Sequence, residues 1–84
     1  TRYQPDAKLQ RQEVADLILE ALQTLAEEQR MVVIMKEYEG LKFREIAEVL
    51  EISENTAKSR LYYGLKHLRV KLSNVVYENK IIES

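Results

Sequence analysis

The chain has 84 residues, of which 45% are apolar and 32% are charged, so its composition is that of one small globular domain. It has no cysteine and a single histidine, which excludes disulfides and cysteine-based metal sites, and we expect no bound metal or cofactor. The net charge is only −1 and no apolar run approaches the roughly 20 residues that span a bilayer, so the totals indicate neither a uniformly basic surface nor membrane insertion.

The first residues of the chain bear on whether it is a whole protein or part of a longer one. The chain begins Thr1-Arg2-Tyr3, without an initiator Met and without the basic-then-apolar order of a signal peptide. We therefore expect a piece of a longer protein or a processed form. No nucleophile–base set, phosphate-binding loop or metal cluster is visible in the sequence, so an enzyme is not expected.

A first helix is predicted over residues 7–24. Pro5 and Asp6 mark its start, with Asp6 as the expected N-cap. Apolar residues then recur at helical spacing: Val14, Leu17, Ile18, Ala21, Leu22 and Leu25. We expect these side chains to form one buried stripe, with Asp16 and Glu20 on the opposite side of the helix.

A second helix is predicted over residues 26–38, with Thr24 as its cap. Glu27 and Glu28 lie in its first turn, where the helix dipole favours acidic side chains. Its middle, residues 31–35, is apolar on all sides, which is typical of a central buried helix, and its two methionines are expected to fill the core. The same run could also be a buried strand, but its methionines and its flanks favour a helix.

Two further helices are predicted after a glycine. Gly40 is expected to end the second helix in a left-handed conformation. A short third helix is predicted over residues 43–50 and, after a tight turn, Ser53 is expected to cap a fourth helix over residues 54–72. The tail, residues 73–84, could extend this helix, pack back against it, or fray.

The third and fourth helices and their short connection form a helix-turn-helix pattern. Three residues of the third helix are expected to face inward: Ile46, Ala47 and Leu50. The small Ala47 suits a close helix crossing, and Ile52 and Ala57 are expected to fill the angle between the helices. We therefore predict an all-α fold, a single four-helix bundle-like domain over residues 1–84 that contains a helix-turn-helix and lacks a winged element.

Spacing separates two faces of the fourth helix. The inward stripe consists of Ala57, Leu61, Gly64, Leu65, Leu68 and Leu72. The second stripe is polar, basic and aromatic, and consists of Asn55, Lys58, Ser59, Tyr62, Tyr63 and Lys66. Lys and Ser donate to phosphates or base acceptors, Asn pairs with adenine, and Tyr offers a hydroxyl for phosphate and a ring for thymine methyls. Major-groove readers place the first part of such a helix against the bases, so its residues are favoured over Lys71.

Charge is distributed unevenly in a way that agrees with this stripe. Residues 13–51 hold ten acidic and four basic side chains, whereas residues 52–72 hold five basic side chains and one acidic. One segment is therefore suited to facing phosphate, while the rest of the domain offsets its charge.

Other interpretations of these side chains stay open. A polar helix face with scattered lysines is often only solvated, and Tyr62 and Tyr63 could pack against neighbouring helices. Arg60 lies between the two stripes, so it could contact a phosphate or pair with Glu45 of the third helix. His67 is expected to be a bystander on the flank of the helix.

Three blocks resemble region four of extracytoplasmic-function (ECF) bacterial sigma factors. They are Ala21-Leu22-Gln23-Thr24-Leu25-Ala26-Glu27-Glu28-Gln29-Arg30, Glu39-Gly40-Leu41-Lys42-Phe43-Arg44-Glu45-Ile46-Ala47-Glu48-Val49-Leu50, and Ile52-Ser53-Glu54-Asn55-Thr56-Ala57-Lys58-Ser59-Arg60-Leu61 with Leu68-Arg69. The resemblance implies a domain that docks its last helix into the −35 element of double-stranded promoter DNA during transcription initiation. It further implies attachment to the flap tip of the β subunit of RNA polymerase core, masking by an anti-sigma factor in many members, and a place in the bacterial cytoplasm.

The resemblance also assigns roles to individual residues. It implies base-reading roles for Lys58, Ser59, Tyr62 and Tyr63, to which the spacing of the polar stripe adds Asn55. It implies phosphate contacts for Arg44, Thr56 and Arg60, and also for Arg30 and Lys42, to which the stripe adds Lys66.

Three positions depart from the family pattern. Ala26 stands where the family usually has Pro, so the first two helices are expected to be less sharply divided. Glu51 stands where Gly is common, and a left-handed residue there would cost about 1 kcal/mol. Tyr63 stands where a basic residue is frequent, so the promoter sequence is not carried over from the family.

Two rival functions stay open. The C-terminal domains of response-regulator and quorum-sensing activators have similar blocks, but typically a His where this chain has Arg60, and they lack the Ser59-Arg60-Leu61 block. A sigma-like decoy would bind an anti-sigma factor without touching DNA, and such a domain is expected to lose its basic face. Lys58, Arg60 and Lys66 argue against that loss.

Overall fold

Helices account for all the regular structure that is described. The computed structural model describes the backbone of residues 7–83 and the side chains of residues 11–74. Its elements are α1 (Ala7–Gln23), α2 (Glu27–Val33) continuing into a π-helical turn (Ile34–Tyr38), α3 (Phe43–Leu50) and α4 (Glu54–Glu83). No strand occurs within residues 7–83, so the all-α prediction is confirmed and the strand alternative for residues 31–35 is wrong. The expected N-cap Asp6 lies outside the described residues.

Helix α4 continues well past the predicted end at residue 72. It has 30 residues and reaches Glu83, so the tail extends the helix within the described backbone. A helix of that length measures about 45 Å, close to the longest dimension of the domain, 49 Å. The Cα radius of gyration is 15.8 Å, whereas a compact chain of this size has about 12 Å. The domain is therefore elongated along α4.

A short non-helical segment, residues 24–26, separates α1 from α2, although Ala26 replaces the expected proline. Ala26 has φ −58° and ψ 145°, an extended conformation that a proline also adopts, and it is the N-cap of α2. The sequence predicted Thr24 as the cap of α2, but Thr24 does not cap that helix. Its hydroxyl instead donates to the Ala21 carbonyl at 2.6 Å and so closes the end of α1. The two helices are thus separate elements without a proline, and a division less sharp than in the family stays a prediction.

The π-helical turn at the end of α2 was not predicted. The Glu39 N–H donates to the Ile34 carbonyl at 3.1 Å, five residues back, and the Leu41 N–H donates to the Met35 carbonyl at 3.0 Å. Between them Gly40 has φ 71°, which confirms the predicted left-handed residue. The chain thereby turns into α3 within four residues.

Two apolar clusters form the core, and both contact Leu61 of α4. The upper cluster joins α1, α2 and α4 through Ala21, Leu22, Leu25, Val33 and Leu68. The lower cluster joins α2, α3 and the start of α4 through Val32, Ile46 and Ala57, with Met35, Phe43 and Ile52 packed against it. The inward stripe predicted for α4 is confirmed, since all six of its members are buried or half-buried.

Two side chains predicted to be buried are instead exposed. Val14 is 54% exposed because α4 covers the second half of α1, where Ala21 and Leu22 lie, and leaves the side chains of residues 11–16 in solvent. Met31 is 40% exposed because it lies on the outer side of α2, whereas Val32 and Val33 point into the two clusters. Met35 does pack in the core, as expected.

Candidate nucleic-acid interface

The turn of the helix-turn-helix begins with a residue in the left-handed conformation. Glu51 has φ 56° and ψ 49°, and the N–H of Ile52 donates to the Ala47 carbonyl at 3.0 Å. This pairing ends α3 and lets Ile52 return to the lower cluster, as the sequence predicted. The turn therefore has the conformation that usually requires glycine, but with Glu51 in place of glycine.

Ser53 caps α4, as predicted. Its hydroxyl oxygen accepts the Thr56 N–H at 3.0 Å, and its own O–H donates to the Thr56 hydroxyl oxygen at 2.8 Å. The Thr56 hydroxyl thus receives one hydrogen bond, and its own proton is left to donate elsewhere. This arrangement holds the half-buried Thr56 side chain at the first turn of α4.

The polar stripe of α4 is exposed along its whole length. All six predicted members face solvent: Asn55, Lys58, Ser59, Tyr62, Tyr63 and Lys66. Tyr62 and Tyr63 are 60% and 56% exposed and pack edge-to-face on each other, with ring centroids 5.0 Å apart. The alternative that both tyrosines are buried against neighbouring helices is therefore wrong, and their rings stay available for a ligand.

The start of α3 adjoins the first turns of α4. The Lys58 ammonium lies 5.7 Å from the centroid of the Phe43 ring, and Phe43 is the first residue of α3. Lys42 and Arg44, on either side of Phe43, are both exposed. These two predicted phosphate contacts are therefore the sequence neighbours of a ring that Lys58 of the polar stripe approaches.

Arg60 lies on the side of α4 that faces α2, and Arg30 belongs to α2 itself. Arg60 is half-buried and its guanidinium is 4.0 Å from the Glu28 carboxylate, so its partner is not Glu45, as one alternative had it. Glu45 instead accepts the Lys42 N–H at 2.8 Å, at the start of α3. Arg30 is half-buried in α2. Neither arginine lies within the stripe itself.

Two residues near this surface were not found from the sequence. The Lys36 ammonium lies 4.6 Å from the Phe43 ring centroid and donates to the Leu41 carbonyl at 3.2 Å. Lys36, Phe43 and Lys58 belong to three different elements, so no local spacing relates them. No group of three or more His, Asp or Glu side chains converges to hold a metal ion within the described part of the chain.

A family comparison agrees with this geometry. The family model described as sigma-70, region 4, matches residues 15–68, which include the helix-turn-helix and the polar stripe. The chain belongs to the sigma-70 region 4 family. The resemblance to region four of ECF sigma factors that the sequence blocks indicated is thereby confirmed.

Curated relatives of this region 4 chain are sigma factors. The RNA polymerase sigma-E factor of Streptomyces antibioticus is 32% identical over 87 aligned positions, which cover 99% of the chain and 48% of that protein. RNA polymerase sigma factor SigV of Bacillus subtilis strain 168 is 41% identical over 54 residues, covering 64% and 32%. ECF RNA polymerase sigma factor SigL of Mycobacterium tuberculosis strain H37Rv is 41% identical over 59 residues, covering 70% and 33%. The chain thus spans between a third and a half of these relatives.

Within the described residues, no helix of this region 4 chain combines the length and the apolar character that crossing a bilayer requires.

Proposed function

We propose that this chain reads the −35 element of promoter DNA, as region 4 of an ECF sigma factor that directs RNA polymerase to initiate transcription. The observation that carries the proposal is the exposed stripe of α4, which follows a capped helix-turn-helix and presents amide, ammonium, hydroxyl and aromatic groups together. A helix of this kind enters the major groove, which is wide enough to admit it.

The first half of the stripe is proposed to face the bases. Asn55 would pair with adenine, Lys58 and Ser59 would donate to base acceptors, and the Tyr62 and Tyr63 rings would contact thymine methyls. The edge-to-face tyrosine pair supports this role because each ring restrains the other before any ligand is bound.

The surrounding cations are proposed to contact the phosphate backbone. Lys42 and Arg44 would reach one strand from the start of α3, and Lys66 would contact the backbone farther along α4. Thr56 would donate its free hydroxyl proton to a phosphate at the N-terminus of α4, where the helix dipole also favours an anion. Arg60, on the side of α4 that faces α2, and Arg30 of α2 would contact phosphates as well, and Arg60 would have to leave Glu28, a weak exposed partner.

Protein partners are proposed from the same family membership. The chain would attach to the flap tip of the RNA polymerase β subunit through apolar side chains on its earlier helices, and an anti-sigma factor could cover the same surface. Met31 and Tyr38 support this idea because they are 40% and 63% exposed on α2 and its π-helical turn. Work with polymerase would place the protein in the bacterial cytoplasm, and no enzymatic activity is proposed.

Selection from a randomised pool of duplexes tests promoter reading, because the pool contains every candidate motif and none has to be chosen beforehand. The chain is expected to enrich one short motif, and Lys58→Ala or Tyr62→Ala should weaken binding to that duplex about tenfold, within the range of one base contact. Lys71→Ala is the matched control, since it removes the same charge from the same helix outside the stripe, and it should change the affinity less than twofold.

NMR titration with the enriched and a scrambled duplex locates the contact. Shifts confined to Arg30 and to residues 42–44 and 55–66, larger for the enriched duplex, would support the proposal. No enriched motif, and no shift with either duplex, would contradict it. If a flap-tip peptide then shifted resonances of α1 and α2, the chain would be a protein-binding module of the decoy type.

A further inference from the structure

Three elements meet at the ring of Phe43. The π-helical turn contributes Lys36, whose ammonium is 4.6 Å from the ring centroid. Helix α4 contributes Lys58, whose ammonium is 5.7 Å from the same centroid. Both distances lie within the range in which an aromatic ring attracts a cation. One aromatic side chain thus lies near two lysines, one from the π-helical turn before α3 and one from α4.

The ring is itself held in place. Phe43 is half-buried and packs against the lower cluster formed by Val32, Ile46 and Ala57. Lys36 is tied to the backbone, since its ammonium donates to the Leu41 carbonyl at 3.2 Å. The position of the ring is therefore restrained by its packing, and a side chain that contacts the ring is restrained in turn.

Lys58 is the member of the group with the fewest restraining contacts. Its side chain is exposed, and no carboxylate lies within ion-pair distance of its ammonium among residues 11–74. A lysine in that setting samples many rotamers, and it loses that freedom when it binds a ligand. A contact that restrains the Lys58 side chain before binding reduces this loss of rotamer freedom.

We propose that Phe43 is a positioning residue for Lys58. Its ring holds the ammonium beside the start of α3, where Lys42 and Arg44 are also exposed, so that the ammonium is already positioned when the duplex arrives. Lys36 fixes the orientation of the ring. This inference rests on the proposed DNA-reading function of α4 and adds to it a residue that does not itself touch DNA.

The free chain provides the first test. Side-chain methylene protons of Lys58 next to the ring should be shifted upfield in the NMR spectrum by the ring current of Phe43. Phe43→Leu keeps an apolar side chain and should remove the shift, whereas Phe43→Tyr should keep it. Random-coil shifts for Lys58 in the unsubstituted chain would overturn the inference without any variant.

Affinity for the enriched duplex provides the second test. Phe43→Leu should weaken binding about threefold to fivefold, which is what one exposed cation–π contact is worth, and Phe43→Tyr should restore the affinity to within twofold. In a Lys58→Met background the Phe43→Leu change should have less than half of that effect. Circular dichroism must show each variant folded at the assay temperature.

The outcomes separate the inference from the function on which it rests. If the unsubstituted chain binds no duplex, the proposed function fails. If it binds, but Phe43→Leu binds equally well or more tightly, Phe43 does not prepare Lys58 for DNA and only the inference fails. An equal loss for Phe43→Leu with and without Lys58 would likewise overturn it, because the ring would then act through the fold.

Discussion

At the scale of single residues, Glu51 has an unfavourable backbone conformation at a position that the fold requires. Its φ of 56° places an ordinary side chain in the left-handed region, which costs about 1–2 kcal/mol for a residue with a Cβ. The turn tolerates this because Ile52 must return to the lower cluster and its N–H must reach the Ala47 carbonyl. The departure from glycine noted in the sequence thus has the predicted structural consequence.

Replacing this residue by glycine should stabilise the domain. We expect Glu51→Gly to raise the free energy of unfolding by about 1 kcal/mol, because glycine adopts the left-handed conformation without steric cost. Urea denaturation followed by circular dichroism measures the change. Glu48→Gly is the matched control, since Glu48 is exposed within α3, where glycine should cost about 1 kcal/mol. Two changes of the same sign would contradict this account.

At the scale of elements, Gly64 sets the approach of α2 to α4. A Cβ placed on Gly64 would lie 2.9 Å from Val33 Cγ2 and 3.4 Å from Gln29 Cβ. Val33 is 2% exposed, so its methyl group has little room to move. The glycine that the sequence placed on the inward stripe is therefore the point where these two helices cross.

We expect Gly64→Ala to lower the free energy of unfolding by about 1 kcal/mol. Overpacking against Val33 costs about 1–3 kcal/mol, and the better helix propensity of alanine returns about 1 kcal/mol. In a Val33→Ala background the obstacle is absent, so the same change should become stabilising. Thermal and urea melts of the unsubstituted chain, the two single variants and the double variant measure this coupling. An identical effect of Gly64→Ala in both backgrounds would show that Val33 does not obstruct a side chain at Gly64.

At the scale of the whole molecule, charge is divided between surfaces. The net charge is −1, yet the segment that contains the polar stripe holds five of the basic residues and one acidic residue. We therefore expect any attraction to DNA to be local, and the acidic remainder of the elongated domain to limit it. The isolated chain should bind duplexes weakly, and tight binding should need further contacts from other parts of the transcription machinery.

Salt dependence tests this division. The logarithm of the binding constant should fall with the logarithm of salt concentration by about 0.9 for each phosphate neutralised, and Lys66→Ala should lower that slope by about 1, because Lys66 is a proposed phosphate contact. Lys71→Ala should leave the slope unchanged. Fluorescence anisotropy at several salt concentrations measures both variants, and tight binding by the unsubstituted chain that is insensitive to salt would refute the weak, local interaction.

Local signals in the sequence determined most of the architecture. Helical spacing predicted the inward stripe from Ala57 to Leu72 and the exposure of the opposite stripe, because burial repeats with the helix period when one side faces the core. Ser53 and Gly40 marked helix ends correctly, since a side-chain cap and a left-handed glycine act within a few residues. The three blocks that resemble the sigma factor family could also be identified from the sequence, because each block is a short contiguous segment.

Contacts between elements were decided only by the tertiary structure. Arg60 pairs with Glu28 and not Glu45, because the packing of α2 along α4 determines which carboxylate lies nearby. Val14 is exposed because α4 covers only part of α1, a matter of crossing geometry that a regular apolar stripe does not reveal. Lys58 meets Phe43 for the same reason: their distance depends on how two helices cross, and residues far apart in sequence carry no periodic signal of that crossing.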